Sequence, residues 1–375
     1  MILKGGKVLN KNFIFEKEKD LYIKNGKITD AYECDEVIDV TGLTVIPGLI
    51  DTHIHGYGGK NMVTNDMEEL NFISEELLKQ GITSFLATTT TLPKEDLIGS
   101  INTINKAMES GTDGAEILGI YMEGPYICMK YKGGMMPSAV REFSKDEFDS
   151  FVKAGKGNIK IITIAPDIEE NFKHISDITD SGIIASIGHT DADGETVDKS
   201  IEQGISTATH LFNAMKGLHH REPGVVGAVL DSNITAELIC DGYHVNQKAI
   251  RMVFKVLGKD RVIMISDAIP NAGMPEGEYI FEGRTVIIKD GTCKLLDGTI
   301  NGNINSLFEC MRRVVKFGIP LEDAVYCSSY TPAKRLGIES QKGSIEPGKD
   351  ADLVVMDDYM NIKYVIKNGI IKYKA

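Results

Sequence analysis

The amino-acid sequence predicts a parallel (β/α)8 TIM-like barrel and a small β-sandwich built from both ends of the chain. Between residues 44 and 266, eight short β-branched or aliphatic segments alternate with amphipathic helical segments, as expected of a parallel sheet with helical crossovers. The first 45 residues and the last 30 instead contain short strand-like segments with Asn-Gly turns. Because neither end is long enough to fold well alone, we expect the two ends to pair with each other.

The elements follow in order along the chain. The predicted barrel strands are Thr44–Asp51, Thr83–Leu86, Glu116–Met122, Lys160–Ile164, Ile183–Ile187, Thr207–Thr209, Ala236–Ile239 and Val262–Ser266. The predicted helices between them have apolar residues at helical spacing: Asp66–Gln80, Lys94–Ser110, Lys145–Lys156, Ile168–Ser181, Ala192–Gln203 and Asn246–Leu257. The third crossover is less regular, since it runs through the Gly- and Met-rich stretch "YKGGMMPSAV".

These elements suggest a division of the chain into two domains. A discontinuous β domain would comprise residues 1–47 and 340–375, and the barrel would comprise residues 48–339. After the eighth barrel strand, "EYIFEGRTVIIKDGTCKL" predicts a β insertion near residues 277–297.

Composition excludes several classes of protein. The formal net charge is −13 and the sequence has no dense Lys/Arg block, which argues against binding nucleic acid or an anionic membrane. A phosphorylated small molecule is not excluded, because one local Arg or His suffices to bind it. The six scattered cysteines, the polar N-terminus and the lack of a long apolar run predict a cytoplasmic protein with reduced thiols and no membrane span.

Metal-ligand side chains follow six of the predicted strands, at the end of a barrel where catalytic residues lie. They are His53 and His55 after the first strand, Glu123 after the third, His189 after the fifth, His210 after the sixth, Asp241 and His244 after the seventh, and Asp267 after the eighth. Residues two apart in a strand point the same way, so His53 and His55 can approach one centre. Imidazole and carboxylate ligands suit zinc, iron or manganese, and Asp267 would serve as general base and then general acid.

Each residue alone has a plainer interpretation. His53 and His55 could be a pair of strand-end histidines, and Glu123 could cap a turn. His189 could sit at a helix N-terminus, and Asp267 could be a helix N-cap. The hydrolytic metal site is predicted by their combination, since all of them follow successive strands at the same end of the barrel.

Several longer motifs extend this prediction. "PGLIDTHIHG", together with Glu123, His189, His210 and Asp267, resembles the amidohydrolase superfamily, a group of metal-dependent hydrolase barrels. The blocks "YMEGPY", "SIGHTDA", "THLFNAM", "REPGVVGAVLDS", "ELICDGYHV" and "GSIEPGKDADLVVMD" are similar to the N-acetylglucosamine-6-phosphate deacetylase branch of that superfamily. The resemblance covers nearly the whole chain.

The resemblance implies a function and a set of roles. The activity would be hydrolysis of the acetamide of N-acetyl-D-glucosamine 6-phosphate, giving D-glucosamine 6-phosphate and acetate, in amino-sugar catabolism. The implied ligands of a divalent metal, zinc or iron, are Glu123, His189 and His210, and His53 and His55 would allow a second ion. Asp267 matches the catalytic acid and base. The implied substrate contacts are Asn213, Ala214, Arg221, His244, Met135 and Leu296. The resemblance also implies a homodimer in which Arg221 reaches the partner's site.

Two blocks depart from the pattern of this branch and leave alternatives open. "KGGMM" places Met135 where other members have His or Gln, and "DGTINGN" places Asn301 and Asn303 where they have small residues. An N-acetylgalactosamine-6-phosphate deacetylase therefore stays open, as does another amidohydrolase acting on a small amide. A cyclic-amide hydrolase is disfavoured because "KIITIAPD", at the end of strand four, has no terminal lysine. A non-catalytic scaffold would require lost metal ligands, and none is lost.

Overall fold

The computed structural model describes residues 1–281, 284–298 and 300–375, and it contains the predicted barrel. Its eight parallel strands are Leu49–Ile54, Ile82–Thr89, Glu116–Met122, Ile159–Ile164, Ile184–Ile187, Thr207–Ala208, Thr235–Ile239 and Val262–Ile265. The first and eighth strands meet through a parallel bridge between Ile54 and Ala268, and Asp267 N–H donates to the His53 carbonyl at 2.8 Å. The barrel prediction is therefore confirmed.

Helices cover the outside of the barrel, and several of them differ from the prediction. The helices are Met67–Lys79, Lys94–Ser110, Lys145–Gly155, Glu169–Lys173, Ile175–Asp180, Gly194–Glu202, Gly224–Asp231, Gln247–Leu257, Leu307–Lys316, Leu321–Val325 and Thr331–Arg335. Short turns of tighter or wider helix lie at Met129–Tyr131, Pro137–Ala139 and Tyr326–Tyr330. The predicted helix Ile168–Ser181 is broken at His174. Gly224–Asp231 was not predicted, nor were Leu307–Lys316, Leu321–Val325 and Thr331–Arg335.

Both ends of the chain contribute strands to a second sheet. These strands are Ile2–Leu9, Phe15–Lys24, Lys27–Thr29, Val37–Asp39, Thr44–Pro47, Leu353–Met356, Ile362–Lys367 and Ile370–Lys374. The sheet encloses its own apolar core, which includes Leu3, Val45 and Leu353, separate from the core of the barrel. How the chain divides into domains, and at which residues, stays a prediction.

Buried charges join this second sheet to the barrel. Asp352 accepts hydrogen bonds from the ammonium groups of Lys342 and Lys367 at 2.9 and 2.8 Å. Both lysines also contact the carboxylate of Glu116, the first residue of the third barrel strand, at 2.9 and 2.8 Å. The network thus connects one end of the barrel to the C-terminal strands.

A four-stranded antiparallel sheet follows the eighth barrel strand and borders the barrel mouth. Its strands are Gly277–Phe281, Arg284–Lys289, Thr292–Leu295 and Ile300–Gly302. A two-stranded ribbon, Gly56–Tyr57 with Lys60–Asn61, follows the first barrel strand. Positions 282 and 283 of the predicted insertion, and position 299 in the "DGTINGN" block, lie outside the described residues. Within the described ranges, no helix is both long and apolar enough to cross a membrane.

Candidate active site and metal centre

The predicted ligands meet at the C-terminal mouth of the barrel because each lies at or just beyond a strand end. Three of them have left-handed backbone conformations: φ is 48° at His189, 28° at His210 and 50° at Asp267. Non-glycine residues seldom adopt positive φ, and such conformations are frequent at functional sites. Here they turn the chain at the strand ends so that these side chains face one centre.

The first group of ligand atoms comprises Glu123, His189 and His210, all of them buried. Glu123 Oε1 lies 3.0 Å from His189 Nε2 and 2.9 Å from His210 Nε2. The two Nε2 atoms are themselves 3.0 Å apart. Two imidazole nitrogens and a carboxylate oxygen thus converge on one point, which is the donor set that zinc and iron prefer.

The second group comprises His53, His55 and the same Glu123. His55 Nε2 lies 3.0 Å from Glu123 Oε2 and 3.3 Å from Asp267 Oδ1. His53 Nε2 is buried and has no hydrogen-bond partner among the described residues, although it lies 3.5 Å from Glu123 Oε1. A buried, unpaired ring nitrogen costs free energy unless something coordinates it. The residues therefore fit divalent metal ions in both groups, with Glu123 shared between them.

The electrostatics of the centre agree with this fit. Burial by itself would lower the pKa of His55, but Glu123 and Asp267 raise it to about 9. Burial opposes ionisation of Glu123 and of Asp267, yet the nearby imidazoles hold the pKa of both carboxyl groups below its usual range. Two carboxylates this deep in the protein require positive charge beside them, which a divalent cation supplies as well as imidazolium does.

A cavity of about 350 Å³ opens above the two groups, and four of the six implied substrate contacts line it. These four are Met135, Asn213, Ala214 and His244. Arg221 is exposed outside the cavity, where its guanidinium donates to His220 Nε2 at 2.8 Å. Leu296 is 72% exposed and also lies outside it. The structure therefore brings neither Arg221 nor Leu296 to the site of its own chain.

His244 is held by Asp241, a buried acid whose partner was not predicted from the sequence. His244 Nδ1 lies 2.6 Å from Asp241 Oδ2, and Asp241 Oδ1 accepts the backbone N–H groups of Tyr243 and His244. Burial would lower the pKa of His244, but the hydrogen bond to Asp241 raises it above the usual value. With Nδ1 engaged, the Nε2 side of the ring is the one available to a ligand in the cavity.

The three departures from the family pattern have different surroundings. Met135 lines the cavity, and its sulfur accepts from the Thr90 hydroxyl at 2.7 Å. Asn301 also lines the cavity. Asn303 instead is buried away from it and donates to the carbonyls of Ser266 and Asn305. Only Met135 and Asn301 are therefore placed to touch a substrate.

Two kinds of residue at the candidate site were not predicted from the sequence. The cavity wall also contains Thr90, Ile239, Ile269, Pro270 and Ile300, which look like ordinary strand and loop residues in the sequence. Glu237 lies in the seventh strand and is 1% exposed, with Oε2 at 3.0 Å from His53 Nδ1. Its signal in the sequence was an acidic residue inside the apolar run "TAELIC".

A (β/α)8 barrel with histidine and carboxylate ligands at its C-terminal mouth, and an additional acid beside them, defines a metal-dependent hydrolase. The model of the Amidohydrolase family matches residues 44–372, and the chain belongs to this family. The protein is thus a hydrolase of amide C–N bonds that depends on a metal.

The similar proteins include deacetylases of two sugar phosphates. A curated N-acetylglucosamine-6-phosphate deacetylase of Bacillus subtilis (strain 168) is 36% identical over 88% of this chain and 84% of its own length. An N-acetylgalactosamine-6-phosphate deacetylase of Escherichia coli O157:H7 is 31% identical over 86% of each chain. The crystal structure of N-acetylglucosamine-6-phosphate deacetylase from Pasteurella multocida matches with a TM-score of 0.92 and 31% identity, over 100% of both chains.

Proposed function

We propose that this chain hydrolyses the acetamide of N-acetyl-D-glucosamine 6-phosphate, giving D-glucosamine 6-phosphate and acetate in amino-sugar catabolism. The observation that carries the proposal is the convergence of two ligand groups on one carboxylate, Glu123, with Asp267 beside them at the floor of a cavity of about 350 Å³. The similarity to named deacetylases over most of the chain supports this substrate.

The cofactor would be two divalent ions per subunit, zinc or iron. Glu123, His189 and His210 would hold one ion, and His53, His55 and the other oxygen of Glu123 would hold the second. When bound, such ions polarise the amide carbonyl and lower the pKa of the attacking water. The case for two ions rests on the two groups of nitrogen and oxygen atoms and on the shared carboxylate.

Asp267 would move the protons of the reaction. Its Oδ1 lies 3.3 Å from His55 Nε2 and borders the cavity, so it is in reach of a water beside the second group. It would accept the proton of that water during attack and give it to the departing amine, which leaves as the 2-amino sugar. His244, fixed by Asp241, would donate from Nε2 to an oxygen of the substrate.

The phosphate requires positive charge in a protein whose formal charge is −13. Asn213 and Ala214 would contact the sugar phosphate, and Arg221 would supply a bidentate donor pair. Since Arg221 lies outside the cavity of its own chain, we propose a homodimer in which Arg221 reaches the partner's cavity. Leu296, which is 72% exposed at the insertion, would contact the substrate in the same way, near the interface.

The galactosamine epimer is the second candidate, and Met135 is the observation in its favour. A thioether accepts hydrogen bonds weakly and donates none. The Thr90 hydroxyl and the Thr91 N–H also occupy its sulfur, so Met135 offers the substrate an apolar surface. A sugar hydroxyl that other members bind through His or Gln here has no such partner.

Acetate release distinguishes the candidates. Metal-loaded protein would be given N-acetylglucosamine 6-phosphate, its galactosamine epimer and unphosphorylated N-acetylglucosamine at equal concentration. We expect the highest kcat/KM with the first, a lower value with the epimer and the lowest with the unphosphorylated sugar. A higher kcat/KM with the epimer would establish the second candidate, and no acetate from any of the three would overturn both.

A further inference from the structure

Glu237 occupies a position beneath the metal centre that the catalytic scheme does not use. We propose that it is a positioning residue, which fixes the ring of His53 so that Nε2 faces the second ion. The contact is direct: Glu237 Oε2 lies 3.0 Å from His53 Nδ1, and both side chains are buried, with 1% and 0% exposure. This inference rests on the metal centre of the proposed function.

The hydrogen bond determines which ring nitrogen is free to coordinate. A carboxylate can only accept, so a hydrogen bond between Glu237 and His53 requires the proton on Nδ1. The lone pair is then on Nε2, the atom that faces Glu123 and Asp267 at 3.5 and 3.6 Å. Carboxylates behind metal-bound histidines fix the tautomer in this way and raise the basicity of the ligand.

Glu237 is itself held rigidly within the barrel. The Tyr121 hydroxyl donates to Oε2 at 3.3 Å, and the Tyr121 ring packs on the His53 ring with 4.6 Å between centroids. The Tyr121 hydroxyl also belongs to a buried network with Thr163 and Thr209, at 3.1 and 2.9 Å. The oxygen of Glu237 that contacts His53 Nδ1 is therefore also held by Tyr121.

The first ligand group depends on other contacts. His189 Nδ1 bonds to the Tyr131 carbonyl at 2.8 Å, and His210 Nδ1 has no partner among the described residues. Among the described residues, the contact of Glu237 with this group is a hydrogen bond from the backbone N–H of His210, at 3.4 Å. Its loss should therefore weaken the second ion and leave the first largely unaffected.

The test counts and titrates metal rather than measuring turnover. Chelated wild-type protein, Glu237→Leu, Glu237→Gln and the control Thr163→Val would be titrated with Zn²⁺ against a chromophoric chelator, with bound zinc counted by mass spectrometry. Thr163→Val removes a hydroxyl from the same buried network without touching His53 or Glu237. We expect Glu237→Leu to weaken the second ion about 10- to 100-fold, with the first ion within threefold of wild type.

The conservative variant separates positioning from general damage. Glu237→Gln keeps an oxygen that accepts from Nδ1, so it should recover part of the lost affinity, and Thr163→Val should match wild type. If Glu237→Leu does not fold, the selective weakening must still appear in Glu237→Gln. Unchanged second-ion affinity, equal weakening of both ions, or a Thr163→Val that behaves like Glu237→Leu would overturn the inference. A wild type that binds one ion would overturn this inference and the proposed pair of ions but leave the proposed hydrolysis standing, whereas a wild type that binds none would overturn the proposed function as well.

Discussion

Asp267 is the residue on which the proposed chemistry depends most directly. It lies next to the second ligand group, with Oδ1 at 3.3 Å from His55 Nε2. His53 and His55 hold the pKa of its carboxyl group below the usual range despite burial, so the side chain is ionised and ready to accept a proton. It belongs to neither group of converging ligand atoms, which leaves it free to act on the substrate.

Replacing Asp267 with Asn should therefore separate chemistry from metal binding. We expect kcat to fall about 10²- to 10⁴-fold, the range for loss of a general acid and base. The number of bound ions should stay unchanged, because Glu123 and the four histidines are intact. Steady-state acetate release and metal analysis of the same sample check this, and near-full activity would remove Asp267 from the proposed role.

At the scale of single residues, the sequence predicted the groups that follow strand ends and not the groups that support them. His53, His55, Glu123, His189 and Asp267 were identifiable because parallel strands place their C-terminal ends together. Glu237 and the role of Asp241 were missed because their partners, His53 and His244, depend on the three-dimensional arrangement. Glu237 and His53 are far apart in the sequence, and the contact between Asp241 and His244 requires a particular loop conformation.

For whole helices and strands, the apolar pattern predicted the type of each element better than its first and last residues. Lys94–Ser110 and Glu116–Met122 have the predicted bounds. Gly224–Asp231, "GVVGAVLD", was missed because it is apolar on all sides and contains two glycines, which hides helical periodicity. The predicted helix Ile168–Ser181 is broken at His174, whose backbone leaves the helical conformation with φ −108° and ψ 12°. The His174 ring stacks on Phe143 with 4.7 Å between centroids.

The charged network between the barrel and the second sheet should contribute to stability. Asp352 is 7% exposed and accepts hydrogen bonds from the buried ammonium groups of Lys342 and Lys367. Asp352→Asn would therefore remove a negative charge beside two buried positive charges. We expect a loss of about 3 kcal/mol in the free energy of unfolding, as for other broken buried ion pairs.

Urea unfolding at pH 7 measures the effect. Glu169→Gln is the matched control, because Glu169 pairs with Lys173 at 2.8 Å while 85% exposed, and its loss should leave the unfolding midpoint unchanged. Equal midpoints for Asp352→Asn and wild type would show that the network does not stabilise the fold.

Glu116 should give the same network a pH dependence. Burial raises the pKa of its carboxyl group, but Lys367 and Lys342 lower it below the usual value. A lowered pKa in the folded state means that the ionised group stabilises the protein above its ordinary pKa of 4.5, and that this contribution disappears as the pH falls through the folded-state pKa.

The melting temperature of wild type should accordingly exceed that of Glu116→Gln at pH 7. The difference should shrink as the pH falls below about 4.5. Thermal unfolding of both proteins between pH 7 and pH 3 checks this. A difference that grows toward acid pH would contradict the sign.

At the scale of the whole molecule, the sequence predicted the barrel because local alternation of strands and helices determines it. The assembly of subunits was available only through resemblance, since no local pattern reports how two copies meet. The position of Arg221 outside its own cavity is what makes the dimer testable.

Mixed dimers test the contribution of Arg221 across the interface. Asp267→Asn and Arg221→Ala chains would be co-expressed with different tags, and the heterodimer purified through both. If Arg221 acts in trans, one of the two sites is native, and the heterodimer should have about half of the wild-type activity. Activity equal to the mean of the two parent homodimers, with the Arg221→Ala homodimer itself impaired, would place Arg221 in its own chain's site, and an unimpaired Arg221→Ala homodimer would place it outside both sites.

Metal removal shows whether the proposed hydrolysis depends on the ions held by Glu123 and the four histidines. Acetate release from N-acetylglucosamine 6-phosphate would be measured on chelated protein and then during titration with Zn²⁺ or Fe²⁺, with bound metal counted at each step. We expect activity to be lost on chelation and to return in proportion to the number of bound ions. Full activity in protein free of metal would contradict it.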